Sequence, residues 1–319
     1  AQANAASPSP SLLAATPDAS LSSPLASPGV ASIANIGDGA TELPSYQAVK
    51  EQFRASDVLV LDRGGRPLQR VRSDYQGRRG DWLALADVSP AFASAVILSE
   101  DQRFYEHSGV DWRAVIAAAW SNISHRQRRG ASTISMQLVG LIDDQLRRGP
   151  SGRSMMQKID QALQAQALER NWTKAQILEA YLNLVSFRGE LVGVDALSRV
   201  LFQKHASGLN ARESALAAVM LRAPNASRKV LAQRTCDLLR SMGFAQECQG
   251  VADFISYSVR RGSAPRGDGD NLAPHFARWV LSQAAAAPGD SITTSMDIAL
   301  QRFVIDSVDR NLRALRASH

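Results

Sequence analysis

Lysine and cysteine are both scarce in this chain: only five of its 36 Lys and Arg residues are lysine, and there are just two cysteines among 319 residues. Two cysteines cannot build a disulfide-dense scaffold, and their spacing does not fit a zinc site. Cys236 and Cys248 close a short loop, which in an exported protein is often bridged, at a gain of about 3 kcal/mol from loop entropy; two free thiols are the alternative. No run of eighteen or more apolar residues occurs anywhere, too little for a spanning helix. No helix-turn-helix signature and no aromatic-basic strand motif is found, which argues against a nucleic-acid partner. Scarcity of charge marks the first forty residues: Ala, Ser, Pro and Gly dominate, no apolar face forms, and residues 1–44 are expected to be a flexible tether. A start at Ala1 rather than Met is expected of a chain that has lost a signal peptide or an anchor helix.

What is present is a net charge of +6, carried by arginine, on a globular composition. Such a surface suits a phosphate or membrane-surface partner. Tyr46 to Phe53 reads as a short helix, and Asp57 to Leu68, a run of Val and Leu broken by Gly64-Gly65, as a hairpin. Helices then succeed one another. Val115, Ile116, Ala119, Trp120 and Ile123 recur at helical spacing and predict a core-facing helix from Trp112. Thr173 to Gln176 and Asn210 to Glu213 are capping boxes, the second opening an Ala-rich core helix that Pro224 ends. Leu231 to Met242 is amphipathic around Cys236, residues 260–270 read as a linker, and Ser291 to Thr294 as a strand entering a terminal helix. The fold class is predominantly α, with a small β-hairpin and a short C-terminal strand–helix segment; 45–258 form the main domain, and 259–319 a linker and the beginning of a further region.

Three stretches carry chemistry. Ile97-Leu98-Ser99-Glu100-Asp101-Gln102-Arg103-Phe104-Tyr105-Glu106-His107-Ser108-Gly109 follows from a helix that begins at Ser89-Pro90, with Ser as N-cap and Pro at the first helical position. Glu100 falls near that helix's C-terminal end, where the dipole disfavours a carboxylate. A Glu partly withdrawn from water gains basicity and can take a proton from an alcohol; the plainer reading is an acidic helix end with Arg103 answering Glu100 or Glu106. Arg126 to Leu138 runs a basic cluster through Gly130, Ala131, Ser132 and Thr133 into a helix start, a candidate receptor for an anion; a solvated loop before an ordinary N-cap is the alternative. Ile177-Leu178-Glu179-Ala180-Tyr181-Leu182-Asn183 is the third.

Taken together and in this order, these stretches resemble the peptidoglycan glycosyltransferases of glycosyltransferase family 51, the polymerising domain of class A penicillin-binding proteins, most closely the 1C type. The family's EDxxFxxHxG is matched by Glu100, Asp101, Phe104, His107 and Gly109. Its GGSTITQQL is matched by Gly130, Ser132, Thr133, Ile134, Gln137 and Leu138, and its ILExYLN by Ile177 to Asn183. The resemblance implies a lysozyme-like helical domain in the periplasm, at the outer face of the inner membrane, that polymerises lipid II into glycan strands. A sugar 4-hydroxyl attacks the anomeric carbon of the lipid-linked chain with inversion, and undecaprenyl pyrophosphate leaves. Glu100 matches the general base. Asp101, Arg103, Phe104, His107, Gly130, Ser132, Thr133, Gln137, Lys158, Gln161, Glu179 and Asn183 match substrate-binding positions, and a divalent cation, Mg or Mn, often assists. Lipid II, the growing strand, the membrane surface and cell-wall synthesis proteins are the implied partners.

Two departures stand out: a further family motif, RKxxE, aligns with Gln157, Lys158 and Gln161, so that Gln161 replaces its glutamate, and Gly140 replaces a usual cation. Lys158 and arginines near Gly130, or Arg147, Arg148 and Arg153, could supply charge to the pyrophosphate instead. Leu138, Val139, Leu141 and Ile142 are candidates for a membrane-facing surface, with ordinary core packing the alternative. The SxxK and KTG motifs of a penicillin-binding transpeptidase are missing, so the chain is expected to stop just inside the linker to such a domain and not to bind penicillin. A lysozyme-like hydrolase or lytic transglycosylase, and a non-catalytic glycan- or lipid-binding scaffold, are the competing readings.

Overall fold

The computed structural model describes residues 43–123, 132–143, 155–262 and 272–317. Nearly all of the expected tether lies outside these residues, as do Gly130 with its neighbouring arginines, Arg147, Arg148 and Arg153, and most of the 260–270 linker. The element order is α1 (Tyr46–Gln52), β1 (Asp57–Leu61), β2 (Pro67–Arg72), β3 (Arg78–Arg79), α2 (Pro90–Glu100), α3 (Trp112–Ile123), α4 (Ile134–Ile142), α5 (Met155–Asn171), α6 (Lys174–Leu184), β4 (Leu191–Val192), α7 (Val194–Leu197), α8 (Ala211–Arg222), α9 (Arg228–Ser241), α10 (Val251–Gly262), α11 (Pro274–Gln283), β5 (Ser291–Thr293) and α12 (Ile298–Ala317). The protein is predominantly helical, with both capping boxes formed: Thr173 with Gln176, and Asn210 with Glu213.

The main core is built around α8. Ala215, Ala217 and Ala218 are fully buried between Leu216 and Met220, and their small side chains let α2 and α9 pack against the helix from different sides. α4, apolar on every face, packs on α5 and α6. That placement corrects the membrane-facing reading of Leu138, Val139 and Ile142: all three are core, and Leu141 is half-buried against them. The core-facing reading of α3 holds in part: among its described side chains Val115 packs on the core while Ile116 is 68% exposed, as is Trp112 at 60%, and the side chains of Ala119, Trp120 and Ile123 lie outside the described residues.

A second, smaller core joins the ends of the chain. β1 pairs antiparallel with β2 and parallel with β5, and Val60, Leu68, Ala273, Ala277 and Ile298 are buried together beside this sheet. The hairpin therefore carries a third strand that its own sequence does not announce. α10 and α11 were likewise not expected from the sequence. Cys236 of α9 and Cys248 are joined by a disulfide, which ties α9 to the turn before α10.

α6 is anchored by two polar residues of the third motif. Glu179 accepts from Trp82 Nε1 at 2.8 Å, from the Leu85 N–H at 2.8 Å and from the Tyr46 hydroxyl, and pairs with Lys50 at 3.5 Å. Burial disfavours its charge, but these donors outweigh it and hold its pKa below the usual carboxylate value; burial and Glu179 in turn push Tyr46 up to about 12. Asn183 is buried and clamps both polar atoms of the Leu83 backbone, accepting at 2.9 Å and donating at 2.8 Å. Both residues brace the segment before α2. Glu179→Ala should lower the unfolding free energy by about 2–4 kcal/mol, because three donors lose a shared acceptor. Urea unfolding measures this; a loss under about 1 kcal/mol would mean that water replaces the carboxylate.

Candidate active site

The site forms where the end of α2 meets the starts of α4 and α9 and the end of α8. Ser89 and Pro90 begin α2 as expected, although the Ser89 hydroxyl donates to the Leu209 carbonyl at 2.7 Å instead of capping the helix. Eleven residues later the helix ends on Glu100, whose side chain is 8% exposed. It lines a cleft of about 1260 Å³ together with Asp101, Arg103, Ser132, Arg222 and Arg234.

Each oxygen of Glu100 has its own partner. Oε2 accepts from Gln137 Nε2 at 3.0 Å, and Oε1 faces Arg222 Nε at 3.7 Å. Arg222 is steered by donating through Nη1 to the Ser99 carbonyl at 3.0 Å. Burial raises the Glu100 pKa above the usual carboxylate value, with a small addition from Asp101; the Gln137 hydrogen bond, the Arg222 charge and Ser99 pull the other way. The result is a shielded carboxylate with raised basicity beside a roomy cleft, the condition for a general base. Arg103 does not answer Glu100: it makes a bidentate pair with Asp111, at 2.7 and 3.0 Å.

Asp101 and His107 are structural neighbours of the base. His107 Nε2 lies 2.9 Å from Asp101 Oδ1, and Asp101 Oδ2 accepts from the Ile134 N–H, the first of α4, at 3.0 Å. Thr133 caps the same helix by accepting from the Met136 N–H at 3.1 Å, and its hydroxyl donates to the Gly109 carbonyl at 2.6 Å. Most of the helix start is thus closed by the protein's own groups, as in the ordinary N-cap reading, while the arginines of the proposed anion receptor lie outside the described residues; Ser132, exposed beside it, lines the cleft. Gly109 explains itself here: φ is +80°, and a Cβ would stand 2.6 Å from the Gln166 backbone nitrogen of α5.

The other expected substrate residues are placed elsewhere. Phe104 is fully buried with Lys174 Nζ 4.4 Å above its ring. Lys158 is exposed on α5 and does not line the Glu100 cleft. Gln161 is buried, and its amide donates to the Met136 carbonyl of α4. A glutamate there would set a carboxylate against a carbonyl oxygen, so glutamine suits this core contact. Gly140 is buried within α4, and Gly130 lies outside the described residues. Among the described residues no three His, Cys, Asp or Glu side chains converge.

Sequence reasoning missed Arg222 and Tyr181 as site residues. A cation closing the last turn of a capping-box helix was the signal for the first; Tyr181 was legible only as a motif position. Glu100→Gln should stabilise the protein above pH 6, because a carboxylate with a raised folded-state pKa contributes stability below its unfolded pKa that is lost as pH rises through the folded one. Melting scans at pH 4 and pH 7.5 test this: the variant should gain only at the higher pH, and an equal or lower Tm there would contradict the burial argument.

Residues 64–243 match the family model described as Transglycosylase. Penicillin-binding protein 1C of Escherichia coli (strain K12) is 33% identical over 250 residues, 76% of this chain and 31% of that protein. A biosynthetic peptidoglycan transglycosylase of Pectobacterium atrosepticum is 40% identical over 171 residues, 51% of this chain and 66% of the relative. The chain therefore spans under a third of the first relative and about two thirds of the second. The solved penicillin-binding protein 1A of Haemophilus influenzae superposes over 77% of this chain and 28% of its own, at 14% identity and a TM-score of 0.31, too loosely to bear on the fold.

Proposed function

This chain belongs to the transglycosylase family, and on that premise we propose that it is a peptidoglycan glycosyltransferase, which polymerises lipid II into glycan strands for cell-wall synthesis. The observation that supports this best is Glu100 itself, a shielded carboxylate of raised pKa with an open cleft beside it. Glu100 takes the proton from the acceptor's sugar hydroxyl as that oxygen forms its bond to the donor's anomeric carbon, and the bond to the lipid pyrophosphate breaks. Arg103, Arg222 and Arg234 line the same cleft and supply positive charge to the departing pyrophosphate. The scaffold reading loses its main support, because Gln161 and Gly140 lie in the core and not in the cleft.

The substrate carries a polyprenyl tail, so we place the working enzyme against the outer face of the inner membrane, in the periplasm. Among the described residues no helix is long and apolar enough to cross a membrane. Apolar side chains exposed on α3 and α5 suit such a contact, Trp112 and Ile116 on the first with Ile159 and Leu163 on the second; α12 exposes others, Leu300 and Phe303 among them. Trp112 and Gln166 line one hollow of about 500 Å³, which sets the start of α3 beside α5. They take the role that Leu138, Val139 and Ile142 cannot.

Incubation with labelled lipid II should give glycan strands, and Glu100→Gln should cut the rate by about 10²–10⁴. Unchanged turnover in that variant would remove Glu100 as the base, and attack on finished peptidoglycan in place of lipid II would favour the hydrolase reading. In vesicle flotation, Trp112→Asp with Ile116→Asp should weaken binding at least about tenfold relative to the unaltered chain; equal flotation would exclude this face.

A further inference from the structure

Tyr181 stands behind Gln137 in α6. Its hydroxyl donates to Gln137 Oε1 at 3.0 Å, while Gln137 Nε2 donates to Glu100 Oε2 at 3.0 Å. Three side chains from three helices, α2, α4 and α6, thus form one hydrogen-bonded line ending on the carboxylate.

A glutamine amide has unlike ends: the NH₂ only donates and the carbonyl only accepts. Turned one way it offers a donor to an ionised Glu100. Turned the other way it sets its carbonyl against the carboxylate, which is tolerable only when Glu100 carries a proton. The reversed amide would also point its NH₂ at Tyr181 and leave the hydroxyl proton without the acceptor it has now, in a side chain that is fully buried. Tyr181 therefore makes the reversed orientation costly.

We propose that Tyr181 is a positioning residue for the base, fixing the Gln137 amide in the orientation that holds Glu100 ionised and in place. The inference rests on the reading of Glu100 as general base. Burial, and then the charge of Glu100, hold the Tyr181 hydroxyl well above its usual pKa, so it remains a donor throughout the working range. The other charged groups around Glu100 come from every side of the cleft: Asp101 and Arg103 lie just after α2, Asp111 precedes α3, Arg222 ends α8, and Arg234 and Asp237 project from α9. None of them hydrogen-bonds Tyr181 among the described residues, and Tyr181→Phe keeps the ring and removes only the hydroxyl, so the change acts first on the amide.

The test compares the unaltered chain, Tyr181→Phe, Gln137→Met and the double variant. Two quantities are measured: the pH profile of glycan synthesis from labelled lipid II, and the titration of the Glu100 carboxyl by ¹³C NMR, assigned with Glu100→Gln. Tyr181→Phe should move both the acid limb and the carboxyl titration to higher pH, by about half a unit to one unit. Below the limb this is a roughly three- to tenfold loss of kcat, with KM for lipid II within about twofold. Added to Gln137→Met, the same change should do nothing further, since the relay is already broken. Additive effects of the two substitutions, or a folded Tyr181→Phe protein with an unmoved titration, would overturn the proposal. A folded Gln137→Met protein whose Glu100 titration does not rise would also overturn it, because the amide that Tyr181 orients would then have no hold on the carboxyl. If the unaltered chain makes no glycan, the polymerase reading fails while the carboxyl titrations still judge the relay.

Discussion

A carboxylate that is to take a proton from an alcohol must be buried enough to be basic and partnered enough to remain charged. Glu100 sits at that balance point, at the end of a helix whose dipole opposes it. Its burial favours the neutral acid; Gln137 and Arg222, one on each oxygen, oppose that and favour the charge. Much of the surrounding fold can be understood as the means of keeping those two partners where they are.

Arg222 reaches the base because α8 packs along α2, and the packing is close because α8 is lined with alanine. Gln137 reaches it because α4 is strapped to the turn after α2 at two further points. Asp101 takes the first N–H of the helix, and Thr133 ties the helix cap to Gly109. Gly109 can make that approach only because it has no Cβ to strike α5. The carboxylate pair at residues 100 and 101 thus divides its labour: one oxygen pair is left for chemistry, and the other organises the helix that supports it.

The braces extend outward. Glu179 and Asn183, on the helix that carries Tyr181, hold the segment of residues 82–85 that leads into α2. The same motif therefore fixes the base from behind, through Tyr181, and fixes the approach to its helix, through Glu179 and Asn183. None of these three touches the cleft. Their position in a motif marks a mechanical role, and it is the reason that motif residues and substrate-binding residues need not coincide.

How much of this the sequence could reveal depends on the range of each interaction. Helices, capping boxes and the hairpin are set by neighbours three or four residues apart, and Thr173, Asn210 and the Gly64-Gly65 break announced them. Glu100 was legible as an anomaly, a carboxylate closing an apolar run, and the order of three motifs gave it a meaning. What the sequence could not show is which partners meet across long separations: Arg222 on Glu100, Tyr181 on Gln137, Asp111 in place of Glu100 for Arg103, β5 beside β1. Nor could it show which apolar faces are covered: α4 offered a membrane face and a core face alike until its packing on α5 and α6 made it core, and Ile116 of α3, expected inside, is exposed. Local hydrogen bonding and periodicity are written in the order of residues; burial, and with it the basicity of Glu100, exists only once the helices have packed.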